Sequence, residues 1–259
     1  HANYLVRNIT ATGHAEVMSK IDYYEASPTT HVAKAGFTAC IGNETISDYQ
    51  ALLSGLSAPD CALELLNSVY NAVALLGPVT HVGLRGWDGT YSGAQFCMAI
   101  VAARSTQPEG QVVPSGKMVA YPYDGQKDVI ESVNLQVESP RPSSTVLPND
   151  LAGTPVIVHL RNADYLNFGL AGSLNPQVTK FEITDPSGNA VPAAILAHAA
   201  LKGSGVVLNE DANLPVGAIV LVPLSPLLRG GQVYTVSFSA TLKDGAAPLQ
   251  KTWSFTTRP

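Results

Sequence analysis

The stretch Val233-Tyr234-Thr235-Val236-Ser237-Phe238-Ser239-Ala240 alternates apolar and polar residues with a period of two. That period sends one face of a β-strand into a core and the other into water. Further short strand runs lie outward from it. Lys251-Thr252-Trp253-Ser254-Phe255-Thr256 reads as a closing strand, and Pro155-Val156-Ile157-Val158-His159-Leu160 as an earlier one. Lys180-Phe181-Glu182-Ile183-Thr184 runs into Asp185-Pro186-Ser187-Gly188-Asn189, where Pro and Gly favour a tight reversal. From about Ala120 onward, turn chemistry recurs every ~8–12 residues, the pattern of a β-sandwich. His159 and His198 stand alone among apolar residues and read as satisfied structural histidines.

The first half mixes two periods. Ala2-Asn3-Tyr4-Leu5-Val6 reads as the end of a helix. In Asp60–Tyr70 the apolar residues Ala62, Leu65, Leu66 and Val69 recur at helical spacing, with Asp60 after Pro59 as N-cap. Val82–Gly86 and Ala94–Ala102 read as strands joined by a turn at Trp87-Asp88-Gly89-Thr90. Helices flanking a hairpin-rich sheet imply an α+β layer fold. The chain thus divides into residues 1–118 and 119–259. A short linker around Gln111–Met118, with Pro114 and Gly116, implies a semi-rigid pair.

The 259 residues suffice for two cored domains, and 46% hydrophobic against 14% charged residues excludes a disordered chain. The net charge of −5, with Lys and Arg scattered singly, argues against nucleic acid or an anionic membrane as partner. No apolar run reaches the ~20 residues that span a bilayer. Residues 1–259 open at His1 without an initiator Met and show no signal peptide, so either processing or an incomplete sequence is expected to account for whatever came before. Low charge with abundant Gly, Pro, Ser and Thr suits an exported bacterial protein, extracellular or held at the cell surface. Three cysteines leave one over. In an oxidising compartment Cys40–Cys61 is the expected pair, with Cys97 a buried thiol; the alternative is three reduced cysteines.

Ordered motifs link each half to a known family. Tyr121–Val129, Leu221–Leu224, Leu227–Thr235 and Trp253–Thr257 resemble a bacterial immunoglobulin-like module, which implies a spacer or adhesion role. His1-Ala2-Asn3-Tyr4-Leu5, Gly13-His14-Ala15-Glu16, His31–Phe37, Asn43-Glu44-Thr45-Ile46, Val69-Tyr70-Asn71-Ala72 and Leu75–Pro78 resemble the bacterial branch of the CAP (cysteine-rich secretory protein-like) superfamily. That resemblance implies an N-terminal α-β-α sandwich whose cleft carries His and Glu, in some members with a divalent metal. His14 and Glu44 match the family's His and Glu. The second cleft histidine is replaced in Tyr70-Asn71, and His31 stands where the family commonly has Arg.

A zinc site wants three or four N, S or O donors. His14 and Glu44 supply two, Asn71 offers only an amide oxygen, and His1 or His31 would have to complete the set. The competing reading has His14 and Glu44 hydrogen-bonding across the cleft to hold the Asn43-Glu44 loop, with no cofactor required. Gly-x-Ser-x-Gly and His-Glu-x-x-His are both missing, and His81 reads as an edge residue, so no catalytic set is assembled. The leading expectation is a non-enzymatic exported protein. Its cleft (His14, Glu44, Asn71, Tyr70, His31, His1) takes a small ligand, glycan, lipid or peptide, and the sandwich displays it. The alternatives are a self-associating subunit of a surface layer, appendage or filament, and a metal-assisted hydrolase using His14 and Glu44.

Overall fold

The computed structural model describes Tyr4, Asn8 and residues 15–36, 40–50, 63, 65–77, 81–91, 94–104, 113–114, 116–136, 138, 140–160, 176–224, 228–242 and 247–259; segments 40–50, 81–91 and 94–104 are described by their backbone. The chain forms two compact units, His1–Leu66 with Ala74–Val112, and Asn67–Val73 with Val113–Pro259. No helix among the described residues is long and apolar enough to cross a membrane.

The described elements of the first half run α1 (Pro28–Lys34), β1 (Cys40–Gln50), α2 (Tyr70–Leu75), β2 (His81–Tyr91) and β3 (Ala94–Arg104). Helix α1 starts where its sequence says it should. Ser27 caps it, Thr30 returns the bond in a capping box, and Pro28 sits where its missing N–H costs nothing. It stops at Gly36, whose φ of 93° a side chain would resist. The strands form an antiparallel sheet in the order β1-β3-β2. Its register runs from Cys40 opposite Arg104 to Gln50 opposite Ala94, and from His81 opposite Ala102 to Trp87 opposite Phe96. The most apolar strand, β3, is central, and the more polar β1 and the glycine-bearing β2 take the edges, where unpaired backbone meets solvent most safely.

This architecture corrects the α+β expectation. Among the described residues the regular structure is mostly strand, the two bounded helices have seven and six residues, and no α-β-α sandwich is present. The physical reasons are local. Residues 43–44, expected in a loop, lie inside β1, where Thr45 and Ile46 add β-branched stiffness. The turn expected at Trp87–Thr90 is strand, with the register irregular between Trp87 and Tyr91. The expected 60–70 helix is helical at Leu63, Leu65 and Leu66 but leaves helix at Asn67–Val69 before α2 begins. There Ser68 Oγ accepts from the Ala72 amide at 3.2 Å and caps a new helix rather than continuing the old one.

The second unit contains β4 (Met118–Tyr121), β5 (Gln126–Val129), β6 (Ser132–Asn134), β7 (Leu151–Gly153), β8 (Val156–Leu160), β9 (Gln177–Thr184), β10 (Ala193–Ala197), β11 (Lys202–Gly203), β12 (Asn209–Glu210), β13 (Ala218–Pro223), β14 (Val233–Thr241) and β15 (Leu249–Thr257). One sheet has the order β12-β10-β13-β8-β4, a second β11-β9-β14-β15-β5, and β6-β7 form a ribbon. A single core takes residues from both five-stranded sheets, including Val156, Val158, Ile219 and Leu221 from one and Phe181, Val236, Phe238, Trp253 and Phe255 from the other. Phe181 and Phe238 meet edge-to-face at 5.3 Å, an arrangement worth about 0.5–1.5 kcal/mol beyond burial.

The two sheets differ in their second faces. Strand β14 alternates buried and part-exposed residues, as a sheet with one wet face must. Strands β8 and β13 are buried at every position. Ile157, His159, Ala218, Val220, Val222, Ala194 and Leu196 lie opposite the core-facing residues by strand alternation, yet all are buried.

Candidate functional site

Two polar centres emerge, one in each unit. In the first, Glu16 and His31 are both buried. The His31 imidazole comes from the buried side of α1, with Nε2 3.4 Å from Glu16 Oε1 and 2.7 Å from the Glu25 carbonyl. Glu16 Oε2 accepts from the amides of Tyr24 and Glu25. Lys34, one turn along, donates to the Tyr24 carbonyl at 2.7 Å, lies 4.6 Å from the Tyr24 ring centroid and pairs with Glu25 at 3.2 Å. The Tyr4 hydroxyl accepts from the Val17 amide at 3.0 Å. Together these bonds fold residues 15–36 around a carboxylate that water does not reach. Its oxygens face the His31 imidazole and the two backbone amides.

The second centre forms where Asn67–Val73 joins the sandwich unit. Asn67 Nδ2 donates to the Ser132 carbonyl at 2.6 Å, and the Val69 amide donates to Glu138 Oε1 at 2.6 Å. The Tyr70 hydroxyl donates to Asp211 Oδ2, also at 2.6 Å, while Asp211 Oδ1 accepts from the Asn213 amide at 2.9 Å. Burial pushes the Glu138 carboxyl up to about 7, with the Val69 and Tyr70 amides pulling it back down. Burial, followed by the bond to Asp211, raises the Tyr70 phenol well above its ordinary value. On β8, His159 lies between Val119 and Ala218. Burial lowers it to about 4, so it is neutral at pH 7.

The expected site residues are not gathered into one centre. His1, His14 and Cys61 lie outside the described residues, as does the Glu44 side chain. The Glu44 backbone sits mid-strand opposite Ile100, which faces Gly83 on its other side. Tyr70 and Asn71 fall in the second unit, with the Tyr70 hydroxyl committed to Asp211, whereas His31 belongs to the first and is committed to Glu16 and Glu25. Of the donors expected for a metal, the side chains of His31 and Asn71 are among the described residues. Nε2 of His31, a candidate third ligand, already engages a carbonyl and a carboxylate, and Asn71 offers a weak amide oxygen. Among the described residues no three His, Cys, Asp or Glu side chains are grouped to hold a metal ion.

Sequence reasoning named His31 but missed its partner Glu16, although the Gly13–Glu16 stretch contains it. It missed Glu138 and Asp211 altogether, because partners so distant in sequence leave no local pattern. His198 is satisfied, its Nδ1 accepting from the Ala200 amide at 3.1 Å. His159 is not, since its buried Nε2 meets no hydrogen-bond partner. His81 opens an edge strand, as expected. The register also constrains the cysteines. Cys97 pairs with Ser47, seven residues along β1 from Cys40. At ~3.3 Å per residue that gap is far beyond disulfide reach, so Cys40 and Cys97 cannot bridge. Compared with known proteins, the chain matches no family model and no curated protein.

Proposed function

We propose that the chain is an exported, non-enzymatic binding protein at the cell surface. Its first unit meets a small ligand, glycan, lipid or peptide, and an immunoglobulin-like sandwich displays that unit. The observation that carries this reading is where the buried acids among the described residues go. Glu16, Glu138 and Asp211 each accept hydrogen bonds from the chain's own backbone, so they serve as scaffold. A general acid or base needs the opposite arrangement, a proton-accepting atom aimed at a substrate. Support for the immunoglobulin-like reading comes from Tyr234, near the start of β14. Its hydroxyl accepts from the Arg229 amide at 2.7 Å, five residues upstream, the corner device of such sandwiches.

The test is a calorimetric titration of chelator-stripped protein with Zn²⁺, run beside Asn71→His. No stoichiometric heat from the natural chain is the expected result. Tight one-to-one binding that disappears in His14→Ala and in Glu44→Ala, together with a hydrolytic activity that Glu44→Ala loses without unfolding, would overturn the proposal in favour of a metal-assisted hydrolase. A thermal-shift screen against soluble glycans, peptides and lipid micelles then identifies the ligand class by which one raises the unfolding midpoint.

A further inference from the structure

Segment Asn67–Val73 is held on the sandwich unit by bonds that differ in kind. The Asn67 bond is neutral, and the Tyr70 bond ends on a carboxylate that also accepts a backbone amide. The Val69 bond ends on Glu138, which is 8% exposed and, among the described residues, has no Lys, Arg or His in ion-pair range. Among the described residues, the titratable group facing Glu138 is the Tyr70 phenol, which in turn bonds Asp211. Neither supplies positive charge. A carboxylate taken out of water without a counter-cation disfavours its own charge, and two amide donors offset only part of that cost. A neutral carboxyl still accepts from Val69 through its carbonyl oxygen.

We propose that Asn67–Val73 is a proton-locked clasp, held on the sandwich unit most firmly while Glu138 is protonated and loosened as that carboxyl ionises. Geometry supplies the lock, and the titration range follows from it. Burial places the docked Glu138 near 7, against an ordinary value of 4.5. The docked state therefore binds one proton more than the undocked state throughout that window. Docking weakens on the order of tenfold per pH unit from about 4.5 to about 7 and is level on either side.

Amide hydrogen exchange on the full chain reads this directly. Exchange of 67–73 would be followed from pH 5 to 8.5 and corrected for intrinsic rates, under conditions where closing outpaces exchange. Protection should fall on the order of tenfold per pH unit up to about 7 and then plateau. Glu138→Gln, which still accepts from Val69, should abolish the slope. A flat profile in the natural chain, or an unchanged slope in Glu138→Gln, would overturn the proposal. Tyr70→Phe gives a second reading that does not depend on Glu138→Gln folding. It should lower protection at every pH and keep the slope, and losing the slope there would equally overturn the lock.

Discussion

The two five-stranded sheets of the sandwich share one core and differ in what lies behind them. Behind β9, β14 and β15 is water, and the outward residues are mostly Thr, Ser, Gln, Lys and Glu. Behind β8 and β13 is more protein, and the outward residues are Ile157, Val220 and Val222. Buried ionisable groups follow that division. His159 is on β8, and Asp211 directly follows the edge strand β12 and donates its amide to the Ala197 carbonyl at the end of β10. Glu138 and Asp211 both receive bonds from Asn67–Val73. A sheet covered on both faces gains apolar burial but must resolve the polar groups of whatever covers it.

The sharpest way to break the comparison is to truncate matched outward positions. Ile157→Ala, on the covered face, should cost about 2–5 kcal/mol in urea unfolding. Ser237→Ala, outward on β14, should stay within about 0.5 kcal/mol. Equal effects would mean that the second face of β8 contributes no packing.

Proton linkage sharpens the contrast next. Folded His159 is neutral down to about 4, whereas an unfolded histidine protonates near 6.5. The unfolded state thus binds more protons in that window, and stability should fall as pH drops through it, by on the order of 2–3 kcal/mol. Glu138, raised from 4.5 to about 7, has the opposite sign, so its contribution falls as pH rises. Between about 4.5 and 6.5 the two nearly cancel. The natural protein should show a flat stability profile there. His159→Met should expose a decline with rising pH, and Glu138→Gln a rise. Parallel profiles for all three proteins would show that neither buried group titrates on unfolding. Tyr70→Phe should cost about 1.5–3 kcal/mol for a lost hydrogen bond to a carboxylate, again by urea unfolding.

Legibility in the sequence tracks the same division. The wet-faced strands announce themselves. Val233–Ala240 alternates and lies within β14, and the closing run Lys251–Thr256 lies within β15. The run Pro155–Leu160 also forms a strand, but its continuous apolarity only reveals its meaning once both faces are seen to be buried. In the first half, helical spacing across Asp60–Tyr70 agrees with helix at Leu63, Leu65 and Leu66 and fails at Asn67–Val69, because Asn67 and Ser68 form hydrogen bonds that no periodicity encodes. The candidate site was the least legible part. Glu16 meets His31 across fifteen residues, and Tyr70 meets Asp211 across 141. Motif spacing carries no information about such pairs.

The excursion of Asn67–Val73 into the second unit also bears on modularity. Cutting the chain between Val112 and Val113 does not release two self-sufficient pieces. The downstream piece would leave the Ser132 carbonyl and the Glu138 and Asp211 carboxylates without the partners that seven upstream residues supply. Chains emerge N-terminus first, so this strip reaches solvent well before its seat exists. It must wait, apolar Val69, Ala72 and Val73 included, until some 140 further residues have followed, to Asp211. A recombination event that shuffled the sandwich into another protein would have to carry that strip along or replace it, so the heritable module is larger than the domain boundary suggests.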